Sequence, residues 1–332
     1  MVLHSMTGYF LEIGDTRYPF RYVVRVVRTG GIYAIRHVEV FQDAGEATKG
    51  SGKPVLCFVA YVGFKRDESE KHAGSSGADG KGKKAQRRTF EHQALPRDYL
   101  KREYGGLLGK KAFEQWPVVQ GMDGLWSNEM SVEEWKQRGD AYPGLEMKKV
   151  DMRGYNPRIV PAGGVMGGDG GDAARRWRLL QLYRLVEDER DAKLGAETEK
   201  KMKTGADDVF NLHACAHLYA SDRNSLFLAQ RALGFQDVRG QMGSLSHTVN
   251  FHGYAKELVM VDERTGKPKE FVQEMWISDS GADRATYNSR LFEKESGRII
   301  ATSVQDGMMR IPTGRTKEII DGDAIVRRDM KL

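Results

Sequence analysis

Three polar positions in the second half of this 332-residue chain have the types and spacing to handle a water molecule. Asp222 lies in Leu218-Tyr219-Ala220-Ser221-Asp222-Arg223-Asn224, within an otherwise apolar, helix-like segment. A carboxylate is a poor helix former, and one facing a sheet is costly unless hydrogen-bonded. On the exposed side it would pair with Arg223 or Arg231, and position alone slightly favours that side. Downstream, Ser244, Ser246, Thr248 and Asn250 alternate with Leu245, His247, Val249 and Phe251. A strand there carries hydroxyls on one face. Next to a buried carboxylate such a face can hold a water; alone it is an ordinary solvent face. Gln305 falls in a further alternating run whose inward set is Ile299, Ala301, Ser303 and Gln305, with Gly307 leaving room for a ligand. Taken alone, it reads more simply as a glutamine of an edge strand.

Other chemistries find no support. His213 and His217 have helical spacing, but the glutamate of a metalloprotease helix and a third ligand are missing, so they read as core or interface residues and no metal is expected. Cys215 has no activating base nearby and reads as inert. The glycine-rich run from Gly163 to Gly171 lacks the Gly-Lys-Ser/Thr ending of a phosphate loop, and there is no Gly-x-Ser-x-Gly elbow. Nothing calls for a cofactor. The formal charge of +6 is concentrated in Lys81, Lys83, Lys84, Arg87 and Arg88, which fits a solvated linker and not a nucleic-acid surface. No apolar run is long enough to span a membrane, and no secretory leader is legible. Cys57 and Cys215 read as core thiols of a reducing compartment.

Positioning Asp222, the strand after it and Gln305 requires one long helix and a sheet. Residues Asp208 to Phe235 form the best-marked helix, capped by Asp207 or Asp208 and ended by Gly234, with Leu212, Cys215, Ala216 and Tyr219 on one face. Ala214, Ala216 and Ala220 let it approach a sheet closely. Strands are expected at Leu245–Phe251, Phe271–Ser278, Thr286–Glu293 and Arg298–Ile311, the last two joined at Glu295-Ser296-Gly297. Strands at Leu145–Met152 and Trp177–Val186 precede the helix, separated by the glycine-rich loop, and a charged helical insertion covers Glu187–Lys203. A long helix wrapped by an antiparallel sheet is the hotdog architecture. The first half repeats the strand series, with runs at Leu3–Leu11, Phe20–Arg28, Ile32–Gln42 and Lys53–Lys65, but no helix precedes them. Residues Asp67–Thr89 are low in complexity and read as disordered. Short helices are expected at Arg97–Tyr104 and, capped by Ser131, at Val132–Arg138.

These residues together resemble the acyl-CoA thioesterase II, or TesB-like, double-hotdog family. The likeness rests on Leu3-His4-Ser5, Tyr9-Phe10-Leu11, Gly14-Asp15 and Phe90-Glu91-His92-Gln93 in the first half. In the second it rests on Tyr219-Ala220-Ser221-Asp222, His247, Phe251-His252 and Ser303-Val304-Gln305-Asp306-Gly307-Met308-Met309-Arg310. The resemblance implies that Asp222, Ser244 and Gln305 hold the water that attacks a fatty acyl-CoA thioester, with Asp222 as base and Ser244 and Gln305 orienting the water. It implies an acyl-CoA substrate, and an Asp/Ser/Gln set speaks against a hotdog hydratase.

The expected fold class is α+β, a double hotdog whose N-terminal copy reads as truncated, lacking its first strand and helix. The expected division is 1–66 for the incomplete hotdog and 67–143 for insertion and linker. The catalytic hotdog follows at 144–312 and a tail at 313–332. Exposed apolar faces at Phe20–Val27 and Val55–Phe64 would need cover, which admits a homo-oligomer or, alternatively, a catalytically impaired remnant that binds acyl-CoA or a partner. The ending Met330-Lys331-Leu332 partly matches a peroxisomal signal, so the peroxisome is the expected location and the cytoplasm the alternative.

Overall fold

The structure, a computed structural model, describes residues 1–15, 18–43, 52–67, 92–119, 144–157, 174–186, 207–223, 225–233, 241–310, 320–321 and 324–325. The low-complexity stretch after Asp67, the Ser131-capped helix, the glycine-rich loop, the charged insertion, Gly234 and the last three residues lie outside them.

The alternating first half forms β1 (Val2–Phe10), β2 (Phe20–Thr29), β3 (Tyr33–Gln42) and β4 (Val55–Lys65). The second half gives β5 (Leu145–Lys149), β6 (Leu179–Leu185), β7 (Gln241–Phe251), β8 (Phe271–Gly281), β9 (Arg284–Glu293) and β10 (Ile299–Arg310). All ten join one antiparallel sheet in the order β2-β3-β4-β1-β7-β10-β9-β8-β6-β5. The two halves meet at β1 and β7, in register from Ser5 opposite Asn250 to Tyr9 opposite Ser246. A short ribbon of β11 (Ile320–Asp321) and β12 (Ala324–Ile325) follows. The fold is the α+β double hotdog that the sequence led us to expect.

Helix α1 (Tyr99–Leu108) packs Leu100, Tyr104 and Leu108 against Leu180, Leu182, Val272 and Phe292 on one face of the sheet. Beneath it the buried Glu274 accepts hydrogen bonds from Tyr99 (2.8 Å) and Tyr104 (2.6 Å) and pairs with Arg290 at 3.3 Å. Burial beside that carboxylate pushes the Tyr99 phenol up to about 12. Helices α2 (Asp207–Asp222) and α3 (Phe227–Ala232) cover the opposite face. With both faces covered, β6 and the first half of β8 are buried almost continuously, which is why they read as apolar runs and not as strict alternations.

Two expectations about the long helix change. It does not run unbroken to Phe235 but stops at Asp222 and resumes at Phe227. Its buried face is also not the one with Leu212 and Cys215. Leu212 is 65% exposed and Cys215 lies on the open side, while His213, Ala214, His217, Ala220 and Ser221 face the sheet. The sheet selects this side because alanines allow close approach and both ring nitrogens of His217 find partners. His217 Nε2 donates to the Leu258 carbonyl at 2.9 Å, so Nδ1 accepts from the Tyr183 hydroxyl at 2.9 Å. Burial pushes His217 down to about 3 and His213 to about 4, so both are neutral, as their reading as core residues requires. Cys57 is buried as expected.

Register carries the helix-side face into the first half. Val24, Val38 and Ala60 stand in one row, as do Tyr22, Val40 and Phe58. At the outer edge this apolar face is uncovered: Tyr22, Val24 and Val26 are 66%, 60% and 67% exposed.

Candidate active site

Asp222, Ser244 and Gln305 come from three elements and meet. Gln305 stands on β10 in register with His247 of β7 and Tyr287 of β9, on the side covered by the helices, and is 2% exposed. A primary amide buried there must be hydrogen-bonded or it costs about 1–3 kcal/mol. All its groups are engaged. Nε2 donates to Asp222 Oδ1 at 2.5 Å and to Ser244 Oγ at 2.9 Å, and Oε1 accepts from Ser225. This network fixes the amide orientation, because a flipped Gln305 would set its oxygen against a carboxylate. The inward reading of Gln305 holds, and the edge-strand alternative falls away.

Ser244 reaches the site by a route that alternation does not show. The expectation put Ser244, Ser246, Thr248 and Asn250 on one face. Opposite Asp306 stands Ser246, but opposite the next residue, Gly307, stands Ser244, so Leu245 is an extra residue in β7. This β-bulge turns Ser244 onto the face of His247 and Gln305, while Ser246 and Thr248 stay on the other face. The hydroxyl row is therefore not a water-holding surface. One hydroxyl, displaced by a bulge, faces the carboxylate.

Asp222 is the last residue of α2, not a mid-helix carboxylate, and is half-buried. The helix ends there because side chains take its carbonyls. Ser221 Oγ donates to Leu218 O at 2.7 Å and Gln273 Nε2 to Ser221 O at 3.0 Å. A carboxylate at a helix C-terminus sits at the negative end of the macrodipole, and the Gln305 amide offsets that cost. Among the described residues Oδ2 of Asp222 receives no hydrogen bond. The Ser244 hydroxyl, whose oxygen accepts from Gln305, keeps its own proton to donate. One acceptor and one donor thus remain for a small polar molecule.

Three further residues of the site were not singled out for it in the sequence. Ser225 bonds Gln305, and its place three residues after Asp222 was the available signal. His247, quoted only as part of a motif, is buried with Nε2 2.9 Å from Ser221 Oγ; the serine proton goes to Leu218, so His247 donates through Nε2. Among the described residues its Nδ1 has no partner. Burial pushes its pKa down, against the opposing pull of Asp222. Gln273 was readable as a lone amide in the apolar inward set Phe271, Gln273, Met275 and Ile277. Gly307 does not leave ligand space as expected: a Cβ there would lie 2.3 Å from Leu226 Cδ2, so the room is filled by Leu226 beside the site. Among the described residues, no group of three or more metal-ligating side chains comes together, and no helix is long and apolar enough to cross a membrane.

Residues 2–64 match the family model of the acyl-CoA thioesterase N-terminal domain. The match covers the strands β1 to β4 and no part of the second half. Leu3-His4-Ser5 and Tyr9-Phe10-Leu11, on which the resemblance was drawn, lie inside the matched residues, which supply β1 beside the site. Among solved structures, the chain is similar to an acyl-CoA thioesterase II of Mycobacterium marinum (18% identity, TM-score 0.49, 94% of this chain and 82% of that one). It is also similar to a TesB protein of Mycobacterium avium subs paratuberculosis (15%, 0.49, 93% and 78%). A hot dog protein of unknown function from Alicyclobacillus acidocaldarius aligns at 13% identity and TM-score 0.47, over 94% and 80% of the two chains. Comparison with curated proteins gives no match.

Proposed function

We propose that this chain is an acyl-CoA thioesterase that hydrolyses fatty acyl-CoA to free fatty acid and CoA. The observation that carries the proposal is the single amide of Gln305 donating to both Asp222 and Ser244. The family match of residues 2–64 supports the substrate class. Water would sit between Asp222 Oδ2, which accepts its proton, and the Ser244 hydroxyl, which orients its oxygen. The water oxygen then attacks the thioester carbonyl carbon, Asp222 takes the proton, and the tetrahedral intermediate collapses with expulsion of the CoA thiolate, which recovers a proton. Gln305, with its hydrogen-bonding groups already engaged, acts by holding Asp222 and Ser244 at their separation, a more indirect role than gripping the water itself. The reaction needs no metal or cofactor.

Release of free thiol from acyl-CoA by the purified chain tests the reading. Asp222→Asn should lower kcat by about 10²–10⁴-fold, the usual worth of a positioned general base. Wild-type protein that is folded yet releases no thiol would sink it. The uncovered apolar face of β2 favours a second reading, an impaired hotdog that binds acyl-CoA without turning it over. Binding without thiol release would select that alternative.

A further inference from the structure

We infer that Gln273 is a positioning residue for Asp222, acting through the end of helix α2. This rests on the reading of Asp222 as the base. Gln273 stands on β8 with Phe271 and Met275 on its own face, and it is fully buried. Among the described residues its amide oxygen has no partner, and neither has that of Gln181, its register neighbour on β6. An amide that leaves its acceptor unsatisfied in a packed core is not there to satisfy the sheet. Its one bond runs from Nε2 to the Ser221 carbonyl, at 3.0 Å between two buried groups.

That carbonyl is special. In a continuing helix Ser221 O would accept from the N–H of Ser225, but Ser225 N turns instead to Asp222 O at 3.5 Å, a weak contact. Ser221 O is thus an orphan acceptor facing the core, and Gln273 alone among the described residues meets it. Ser221 is held a second time, through Oγ, by His247 at 2.9 Å. The next residue is Asp222, whose Oδ1 sits 2.5 Å from Gln305. Remove the Gln273 donor and the buried carbonyl must seek another partner, by extending the helix toward Ser225 or by fraying the turn. Either movement shifts the carboxylate, and a displacement of about 1 Å at a reacting group costs on the order of 10²-fold in rate.

The test uses the full chain with Gln273→Leu, which keeps the volume and loses the donor, and Gln273→Glu, which donates only while protonated. Gln273→Leu should lower kcat for thiol release by about 10–100-fold with KM changed less than about threefold. Its backbone amides at 220–225 should exchange faster, with β9 and β10 unaltered. A buried glutamic acid has a raised pKa, so Gln273→Glu should approach wild type near pH 6 and fall toward the Leu variant as the pH rises. His247, which holds Ser221 through Oγ, is common to every variant, so the profile is read as a ratio to wild type. A folded Gln273→Leu protein with wild-type kcat and unchanged exchange overturns the inference, as does a Gln273→Glu to wild-type ratio that is flat with pH. Should Gln273→Leu fail to fold, the pH profile of Gln273→Glu decides alone. If the wild type releases no thiol, the thioesterase reading fails separately, and exchange at 220–225 still decides whether Gln273 holds the helix end.

Discussion

Acidification should destabilise this chain through His217 well before its carboxylates titrate. Unfolded, the ring ionises near 6.5; folded, it is pushed down to about 3, because burial between Tyr183 and the Leu258 carbonyl penalises the charged form. Between those values the unfolded chain binds a proton that the folded chain refuses. The associated stability is therefore complete above pH 6.5 and is lost as the pH falls toward 3. Each unit is worth about 1.4 kcal/mol, so His217 alone should remove about 2 kcal/mol between about pH 6.5 and about pH 5. His213, pushed down to about 4, adds to the same slope. Comparison with His217→Gln isolates one contribution, since every other histidine is common to both proteins. Urea unfolding across this window should give midpoints that fall more steeply for wild type. The excess is about 1.4 kcal/mol per pH unit, or on the order of 0.5–1 M urea over the window. Parallel slopes for the two proteins would mean that His217 is accessible to protons in the folded state, and the packing described for α2 would be wrong.

Three more outcomes follow from the same geometry. Ser244→Ala should cut kcat by about 10²-fold while Ser244→Thr stays within a few-fold, because only the hydroxyl is required; steady-state thiol release distinguishes them. Tyr104→Phe removes a 2.6 Å hydrogen bond from the buried Glu274 carboxylate and should cost about 1.5–3 kcal/mol of unfolding free energy in denaturant titration, with kcat little changed. Gly307→Ala must displace Leu226, whose Cδ2 lies 2.3 Å from the new Cβ, so a loss of about 1–3 kcal/mol is expected, together with a lowered kcat. An unchanged melting temperature in that variant would show that Leu226 moves freely.

Much of the sheet was legible because its strands are long and their ends marked by glycine turns; β3, β4, β8 and β9 fall within a few residues of expectation. The site was legible only in parts. Asp222 and Gln305 could be nominated, but Ser244 belongs to the site because Leu245 is an inserted residue, and strict alternation places it on the wrong face. No local signal marks that bulge: it follows from the pairing with β10, which is a non-local fact. The helix break at Asp222 was missed because Arg223–Ala232 remains helix-compatible by propensity, and what stops it is a glutamine some fifty residues on. The buried side of α2 was misassigned because hydrophobicity ranks Leu212 above His217, whereas the sheet rewards close approach and the paired ring nitrogens of His217.

The seam between β1 and β7 joins the two halves by five register pairs, and α2 adds Asn211, whose Oδ1 accepts from Leu3 N at 2.7 Å and whose Nδ2 donates to Met1 O at 3.2 Å. Chain continuity between Asp67 and His92 is thus not what holds the first segment in place. A chain severed anywhere in that interval should migrate as one native particle, and two separately expressed pieces should find each other through the free edge of β7. The protein is in effect a split reporter in waiting, with thiol release as its signal of reassembly.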